Sequence, residues 1–379
     1  MRHATSEHFD ICVIGGGLAG LSAAAALAAT YKVALVEREP HWAYHATGRS
    51  VALFAESYGN APVRALTRAS RDFYLAADGS RPFTRARGVL FVATGEQRED
   101  LSALYATLSA ASPRVAMLEP KTAMDLCPAL RPDTLSAALL DPDARDIDVA
   151  AVVDYYVRLF RSNGGRQYRD CEVTGLERSG EEWHIRTLGS PLRAAIVVNA
   201  AGAWADELAR AAGIAAAGLE PRRRTAVRVS AGSWTVAQWP CVMDASEQWY
   251  FRADAGALLL SPADETLSAP CDAQPDDYDV ALAIERVEAA TRLVVDRPLS
   301  SWAGLRTFAP DRTPVIGFDP GAAGFYWLAG QGGYGIQTAP AIARLVAAQI
   351  AGLSLPPELA AAGVDEAGLS PARFSRNVQ

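Results

Sequence analysis

The hydrophobic and polar positions at the start of the chain predict a β-strand, an α-helix and a second β-strand. Phe9–Ile14 is a short apolar run of the kind found in buried parallel strands, and it ends at Gly15. The Ala-rich segment Leu18–Thr30 predicts a helix, and Lys32–Val36 predicts the second strand. This order is that of a βαβ unit with a parallel sheet.

The end of the chain repeats this order, and a different pattern separates the two ends. Ala195–Asn199 and Phe325–Leu328 are apolar strand-like runs, and a long helix is predicted for Gln337–Ala351. Residues 225–260 contain several strand-like runs divided by turn residues, which favours an antiparallel sheet. One apolar stripe predicts an amphipathic helix at Val149–Ser162. The pattern predicts an α/β protein with two interleaved domains.

Composition agrees with a two-domain globular protein. The 379 residues exceed the size at which one hydrophobic core usually stops growing. Half of the residues are hydrophobic and 21% are charged, a profile that excludes disordered, collagen-like and coiled-coil chains. The 43 acidic residues exceed the 36 basic ones, giving a net charge of −7, which argues against a nucleic-acid-binding protein.

Cysteine, histidine and apolar residues limit the other function classes. The five cysteines are scattered without a C-x-x-C pair, which predicts reduced thiols in a cytoplasmic protein. The five histidines lack metal-ligand spacing, so no protein-held metal is predicted. The longest apolar stretch, Leu18–Ala29, is too short for a transmembrane segment. A peripheral position at the inner membrane is left open.

The first βαβ unit carries a dinucleotide-binding motif. Gly15, Gly17 and Gly20 fit G-x-G-x-x-G, in which they serve the tight turn, the approach of a pyrophosphate, and helix–strand packing. The helix N-terminus then offers free N–H groups to phosphate charge. Glu37 ends the second strand at the spacing expected for an acid that binds the ribose 2′-hydroxyl, and it disfavours NADP.

Two further segments favour FAD over NAD. Residues 41–58 predict a loop that enters a helix, and its stretch His45–Ser50 offers hydroxyls and Arg49 for a second clamp on a pyrophosphate and flavin. A solvated loop position is the alternative interpretation of Arg49. The glycine-rich turn Gly330–Gly335 opens the last helix, whose N-terminus would stabilise negative charge on a reduced flavin. One nicotinamide does not account for two such loops, so FAD is the predicted cofactor.

With these motifs the chain resembles the D-amino-acid oxidase-like FAD-dependent oxidoreductases. The likeness rests on four blocks that span nearly the whole chain: Ile14–Gly20, Tyr44–Tyr58, Val198–Trp204, and Gly304–Gly317 with Gln331–Thr338. Within that family it is most similar to bacterial FAD-dependent D-arginine dehydrogenases. The resemblance implies an FAD-binding Rossmann-type domain interleaved with a substrate domain on a mixed, largely antiparallel sheet. It also implies hydride transfer from a D-amino acid's Cα to flavin N5, followed by hydrolysis to a 2-oxo acid and ammonia.

The resemblance also implies domain limits and contacts. The FAD-binding domain is expected at residues 1–85, 145–220 and 305–379, and the substrate domain at 86–144 and 221–304. Beyond the motif glycines, the cofactor is expected to contact a set of loop and helix-end residues. These are Ala19, Glu37, Arg38, Ala46, Thr47, Gly48, Arg49, Ser50, Leu53, Val173, Gly332, Gly333, Tyr334, Gly335, Ile336 and Gln337.

The substrate residues follow from the same resemblance. Arg306 and Arg224 would bind the carboxylate, Tyr250 would donate a hydrogen bond, Tyr58 would close the pocket, and the Gly333 carbonyl would face the amine. A paired-arginine clamp suits a carboxylate because each planar guanidinium binds both oxygens. A structural salt bridge is the alternative for Arg306, a solvated strand face for Arg224, and core packing for the two tyrosines.

The chain departs from the arginine-preferring enzymes at the side-chain pocket. Leu53 and Ala55 stand where those enzymes carry His and Thr, and Gly88 aligns with the Glu that holds a cationic side chain. Arg87 beside it would repel a guanidinium, although Glu56 offers a relocated carboxylate. We therefore expect neutral or apolar D-amino acids to be preferred over D-arginine.

Three other functions remain open from the sequence. Glycine- or sarcosine-type amine oxidation and 2-hydroxy acid oxidation share the FAD loop and a carboxylate-binding arginine. A dinucleotide-binding module without redox turnover would leave the second glycine loop unexplained. The electron acceptor, oxygen or a quinone, is not indicated by any motif.

Overall fold

The computed structural model describes residues 7–79, 81–110, 112 and 114–377. Two large sheets, one of eight and one of ten strands, organise this part of the chain. In chain order the strands are β1 (Glu7–Ile14), β2 (Val33–Val36), β3 (Leu53–Phe54), β4 (Ala77–Asp78), β5 (Arg81–Pro82), β6 (Thr84–Ala86), β7 (Val89–Ala93), β8 (Ala116–Leu118), β9 (Ala137–Asp141), β10 (Arg145–Ile147), β11 (Arg166–Tyr168), β12 (Val173–Ser179), β13 (Glu182–Thr187), β14 (Leu192–Asn199), β15 (Glu220–Ser230), β16 (Cys241–Asp244), β17 (Tyr250–Asp254), β18 (Ala257–Ser261), β19 (Thr266–Leu267), β20 (Pro298–Phe308), β21 (Val315–Phe318), β22 (Phe325–Ala329) and β23 (Gln331–Gly332).

The helices mostly cover the faces of these sheets. Two 3₁₀ segments, Gly202–Trp204 and Pro371–Asn377, complete the regular structure of the described residues. The α-helices are α1 (Leu18–Leu27), α2 (Ala61–Ala69), α3 (Arg71–Leu75), α4 (Arg98–Ser109), α5 (Pro120–Leu126), α6 (Val149–Ser162), α7 (Ala205–Ala211), α8 (Asp277–Ala290), α9 (Gly335–Ile350), α10 (Pro357–Ala361) and α11 (Glu366–Leu369).

The eight-stranded sheet has a parallel centre, as the apolar runs predict. β11, β2, β1, β14 and β22 pair in parallel, and β12, β13 and β21 add antiparallel strands. The inner strands are apolar on both faces because α1, α6 and α9 pack on one side and a separate cluster around Trp327 and Phe325 packs on the other. The parallel order brings the carboxyl ends of β1, β2 and β14 to one edge, where the glycine loop after β1 lies.

The ten-stranded sheet is mixed and mostly antiparallel, which confirms the predicted fold class. Its order is β23, β20, β15, β18, β17, β16, β7, β9 and β8, with β19 paired to β15. Only β16 and β7 pair in parallel among these strands of the described residues. One face carries an aromatic core closed by α8, and the other faces the glycine loops of the first sheet.

The local predictions differ from the structure at a few element ends. Helix α6 has the bounds predicted, and the Asp148 side chain caps it by accepting a hydrogen bond from the Ala151 amide at 2.9 Å. The segment 41–58 is a loop that leads to a helix, as predicted, but the helix begins later than expected. That segment stays irregular except for the strand Leu53–Phe54, and α2 begins only after its own N-cap, Asn60. None of the helices in the described part of the chain combines the length and apolarity needed to cross a bilayer.

Candidate active site

The glycine loop after β1 shows which of its glycines serve the fold and which leave room for a ligand. Gly15 has φ +115°, and a Cβ there would lie 2.2 Å from the carbonyl oxygen of Ala200. A Cβ on Gly20 would lie 1.9 Å from the carbonyl oxygen of Gly15. At Gly17 the nearest atom to such a Cβ is the Thr47 hydroxyl at 3.5 Å, so the space beside Gly17 is open to the cleft. This is the position through which a pyrophosphate approaches the backbone.

The carboxylate of Glu37 is fixed at the end of β2, beside that loop. One oxygen accepts a hydrogen bond from the Gly16 amide at 2.5 Å and the other from the Glu39 amide at 2.8 Å. The side chain also lines the cleft. Each carboxylate oxygen has a second lone pair, so Glu37 retains acceptor capacity for a ribose hydroxyl.

An aromatic and charged cluster continues the cleft beyond Glu37. The Arg38 guanidinium lies 3.9 Å from the ring centre of Trp204, and the His45 ring lies 4.8 Å from it. Glu39 accepts hydrogen bonds from Arg38 and pairs with His45 at 2.9 Å, and these partners hold its pKa below the ordinary value against the effect of burial. Trp204 was not predicted as a site residue. The sequence signal that could have identified Trp204 is its position shortly after β14, the strand that pairs with β1.

The predicted second clamp, His45–Ser50, contacts both the first turn of α1 and the region of the ten-stranded sheet. The Thr47 hydroxyl accepts a hydrogen bond from the Leu18 amide at 3.1 Å, at the first turn of α1. Arg49 donates to the carbonyl oxygens of Ala273 and Ala303, both at 3.0 Å, and pairs with Asp272. Two nitrogens of the Arg49 guanidinium thus connect the segment to the ten-stranded sheet and to the nearby residues 272 and 273. Contact of Arg49 with a cofactor stays a prediction.

The C-terminal glycine turn closes the other side of the cleft. Gly332 has φ +55°, and a Cβ there would lie 2.3 Å from the ring of Phe308. Gly333 has the Arg306 guanidinium packed on it, since a Cβ would lie 2.8 Å from Nη1. Gly335 and Ile336 at the start of α9 also line the cleft, so the N-terminus of a 16-residue helix faces it.

Arg306 is a half-buried cation without an acidic partner among the described residues. Its one side-chain hydrogen bond there is donated from Nη1 to the Tyr58 hydroxyl at 3.4 Å. Burial by itself lowers the pKa of Arg306, but the phenol groups of Tyr58, Tyr250 and Tyr334 raise it above the ordinary value. The guanidinium therefore stays charged. A buried charge without a partner is costly unless a ligand supplies the anion.

Two buried hydroxyl groups at the same end of the cleft also lack partners. Tyr250 is 6% exposed and Thr307 is 6% exposed, and neither hydroxyl has a hydrogen-bond partner within the described residues. Both residues line the cleft. Buried hydroxyl groups are usually hydrogen-bonded in native proteins, so these two indicate a polar ligand.

Arg224 lines the cleft but is already paired. Its Nε donates to the Asp264 carbonyl oxygen at 2.8 Å, and its Nη2 lies 3.3 Å from Glu265 Oε1. On the face of β15 that carries Arg222, Arg224 and Ala226, the last two residues line the cleft. Arg224 therefore does not lie on a solvated strand face, which was the alternative interpretation. Its Nη1 makes no hydrogen bond within the described residues.

The cleft brings together most of the predicted site residues. Gly20, Gly48, Leu53, Tyr58, Tyr334 and Gln337 do not line it, although Tyr58 and Tyr334 pack edge to face near Arg306, with ring centres 4.9 Å apart. The lining residues from the predicted set are Gly15, Gly17, Ala19, Glu37, Arg38, Ala46, Thr47, Arg49, Ser50, Val173, Arg224, Tyr250, Arg306, Gly332, Gly333, Gly335 and Ile336.

The expected contribution of Arg87 to the side-chain pocket is wrong. Arg87 pairs with Asp146 at 2.5 Å and donates to the Trp239 carbonyl oxygen, so its charge is neutralised away from the cleft. Glu56 pairs with Arg71 at 3.0 Å and does not line the cleft, which removes the proposed relocated carboxylate. Gly88 does not line it either. Leu53 packs in the apolar cluster that holds Tyr250.

These features fit an FAD molecule and a carboxylate. The open space at Gly17 and the carboxylate of Glu37 suit the nucleotide half, and the helix N-terminus at Gly335 suits the flavin half. Within the described residues, Arg306 has no acidic partner and the Tyr250 hydroxyl has no hydrogen-bond partner, and both lie at the far end, where a substrate would meet the flavin.

Comparisons with known proteins agree with this geometry. Residues 10–349 match the family model described as FAD dependent oxidoreductase, DAO. The chain is 26% identical to a glycine oxidase of Pseudomonas putida over 351 residues, covering 89% of this chain and 93% of that protein. It is 25% identical to a glycine oxidase of Geobacillus kaustophilus over 364 residues, covering 90% and 93%. The crystal structure of the glycine oxidase from Geobacillus kaustophilus superposes with a TM-score of 0.84 at 21% identity, over 97% of this chain and 99% of that one.

Proposed function

The protein belongs to the DAO family of FAD-dependent oxidoreductases, and from this premise we propose that it oxidises the Cα–N bond of a small neutral amino acid. The observation that carries the proposal is Arg306, a half-buried cation that has no acidic partner among the described residues and lines the cleft. A guanidinium in that position supplies two parallel donors to a carboxylate. The free hydroxyl of Tyr250 in the same wall supplies a further donor.

The residues of the chain position the substrate. Arg306 binds the carboxylate, Tyr250 donates a hydrogen bond to it, and the Gly333 backbone directs the amine. Bound FAD supplies the acceptor for the hydride from Cα. Holding Cα–H in a fixed orientation accounts for a large part of such a reaction, because hydride transfer depends on distance and alignment.

The wall of the cleft around Arg306 offers no carboxylate, imidazole or amine for acid–base chemistry among its described lining residues. The residues lining that end, in the part of the chain that the structure describes, include no Asp, Glu, His or Lys. The substrate amine must therefore arrive neutral or lose its proton to solvent. The Glu265 carboxylate near this wall is already paired with Arg224 and Arg312, so it is not free to bind a cationic side chain, which supports neutral substrates over D-arginine.

Two substrate classes compete within this proposal. The resemblance to D-arginine dehydrogenases favours D-amino acids. The glycine oxidases among the relatives favour glycine or an N-alkylated glycine such as sarcosine, for which no side-chain pocket is needed. A 2-hydroxy acid would use the same arginine, but the class of relatives gives it less support.

The test is anaerobic reduction of the bound flavin. The FAD-loaded protein is mixed with D- and L-alanine, D- and L-methionine, glycine, sarcosine, D-arginine and D-lactate, and the flavin absorbance is followed. Reduction by D-enantiomers but not L-enantiomers supports the D-amino-acid class. Reduction by glycine and sarcosine alone supports the glycine-type class. If only D-lactate reduces the flavin, or D-arginine is the fastest substrate, the proposal is wrong.

A further inference from the structure

The substrate end of the cleft carries more positive charge than one carboxylate requires. In the antiparallel pair of β15 and β20, Arg224 lies opposite Gly304, and Arg306 lies two residues further along β20. Side chains two residues apart share a sheet face, so Arg224 and Arg306 are neighbours on the cleft wall. Arg306 has no acidic partner among the described residues, whereas Arg224 has Glu265.

Glu265 is held in place from outside the cleft. Arg312 donates to both of its oxygens, at 2.8 Å and 3.1 Å, in a two-point contact that fixes the carboxylate plane. The Arg312 guanidinium in turn lies 4.0 Å from the ring centre of Phe308. Because of this anchor, an incoming carboxylate cannot simply displace Glu265 from Arg224.

The carboxylate of Glu265 remains ionised near neutral pH. Burial raises the pKa of Glu265, but Arg312, Arg224 and Arg306 together hold it below the ordinary value. Its side chain is 31% exposed and that of Arg224 is 11% exposed, so water screens their interaction only in part. A fixed negative charge therefore stands beside the second arginine of the cleft.

We propose that Glu265 is a specificity-determining residue that restricts the cleft to substrates with a single carboxylate. The Glu265 carboxylate partly neutralises the positive charge of Arg224, and it repels a second carboxylate that approaches this arginine. Discrimination of this kind depends on a repulsive element as well as an attractive one. The inference rests on the proposed binding of a carboxylate at Arg306.

The test measures carboxylate binding without turnover. FAD-loaded wild type and Glu265→Gln are titrated with acetate and with malonate, and binding is followed by the change in flavin absorbance. We expect the ratio of malonate to acetate affinity to rise about tenfold or more in Glu265→Gln, because the substitution removes the negative charge that repels the second carboxylate of malonate. Asp254→Asn is the matched control, because Asp254 pairs with Arg228 of the same strand β15 at 3.2 Å and leaves Arg224 untouched. It should leave the ratio unchanged.

A double variant checks that the effect acts through Arg224. In Arg224→Gln/Glu265→Gln the gain in malonate affinity should disappear. Equal weakening of both anions in Glu265→Gln, or an unchanged ratio, would overturn the inference and leave Glu265 as a support for Arg224. If the amide variant loses its flavin, Glu265→Ala provides the same comparison.

The two proposals fail in different ways. If acetate binds and the malonate ratio shifts as expected, but no amino acid reduces the flavin, the carboxylate inference stands and the proposed substrate class is wrong. If neither anion binds the wild type or the variant, the carboxylate site itself is wrong, and both proposals are overturned.

Discussion

Arg306 and Arg222 lie directly opposite each other in the antiparallel pair of β20 and β15, so two arginines face each other across the strands. Like charges in this arrangement are unfavourable unless each has a partner. Arg222 has one in Glu220, at 2.6 Å. Arg306 has none in the described part of the chain, and its guanidinium is turned into the cleft against Gly333. The sheet therefore holds one satisfied and one unsatisfied cation at neighbouring positions.

Replacing Arg306 should disable the substrate site and spare the cofactor site. Arg306→Gln removes the charged donors, and we expect kcat/KM to fall about a hundredfold or more, the equivalent of about 3 kcal/mol of transition-state binding. Flavin content, measured by absorbance, should be unchanged. Arg222→Gln is the control and should keep most of the activity. Loss of flavin from Arg306→Gln would show that the residue is structural.

Tyr250→Phe should separate stability from binding. The hydroxyl of Tyr250 is buried and has no partner within the described residues, so its removal should leave thermal stability unchanged or slightly higher. The same change should raise KM by about fivefold, because a hydrogen bond of about 1 kcal/mol to the substrate is lost. Thermal unfolding of the flavin-free protein and steady-state kinetics measure the two effects. A drop in Tm with an unchanged KM would mean that the hydroxyl serves the fold.

The glycines of the first loop should respond differently to alanine. Gly15→Ala should destabilise the fold by about 2 kcal/mol or more, because φ is +115° and the new Cβ would lie 2.2 Å from the Ala200 carbonyl oxygen. Gly17→Ala meets no protein atom closer than 3.5 Å, so the flavin-free protein should keep its Tm. FAD affinity of Gly17→Ala, measured by fluorescence titration, should fall about tenfold or more because the backbone is shielded from the pyrophosphate. Equal FAD affinity in wild type and Gly17→Ala would place the pyrophosphate elsewhere.

The ion pair of Asp272 with Arg49 predicts an acid-dependent contribution to stability. The hydrogen bond from Arg49 holds the pKa of Asp272 below its ordinary value, against burial. Because the pKa of Asp272 is lower in the folded than in the unfolded protein, the ion pair contributes to the free energy of unfolding at pH values above the unfolded-state pKa of about 4. This contribution is lost as the pH falls through the folded-state pKa. Asp272→Asn should therefore flatten the loss of Tm between pH 5 and pH 3, measured by thermal unfolding. The control Asp296→Asn, at an exposed position without an ion pair among the described residues, should follow the wild type. The prediction is wrong if the two variants give the same curve.

The sequence determined the dinucleotide loop and most of the regular elements. The glycine spacing, the apolar strand before it and Glu37 at the end of β2 are local features, and local backbone geometry dictates them. Helix α6 could be located to the residue because Asp148 caps its start and its apolar stripe is continuous. The conformation of the loop at 41–58 could not be predicted in this way, because some of its hydrogen bonds run to Leu18, Ala273 and Ala303, which are distant in the sequence.

Only the tertiary structure decided which charges are free at the site. Arg87, Glu56 and Arg224 are each neutralised by a partner distant in sequence or in another element: Asp146, Arg71 and Glu265. Arg306 is left without one in the described residues. The sequence left a structural salt bridge open for Arg306 and a solvated strand face open for Arg224. Charge pairing depends on distances between segments far apart in the chain. The folded structure alone therefore distinguishes an arginine that is paired with a protein carboxylate from one that is available to bind a ligand.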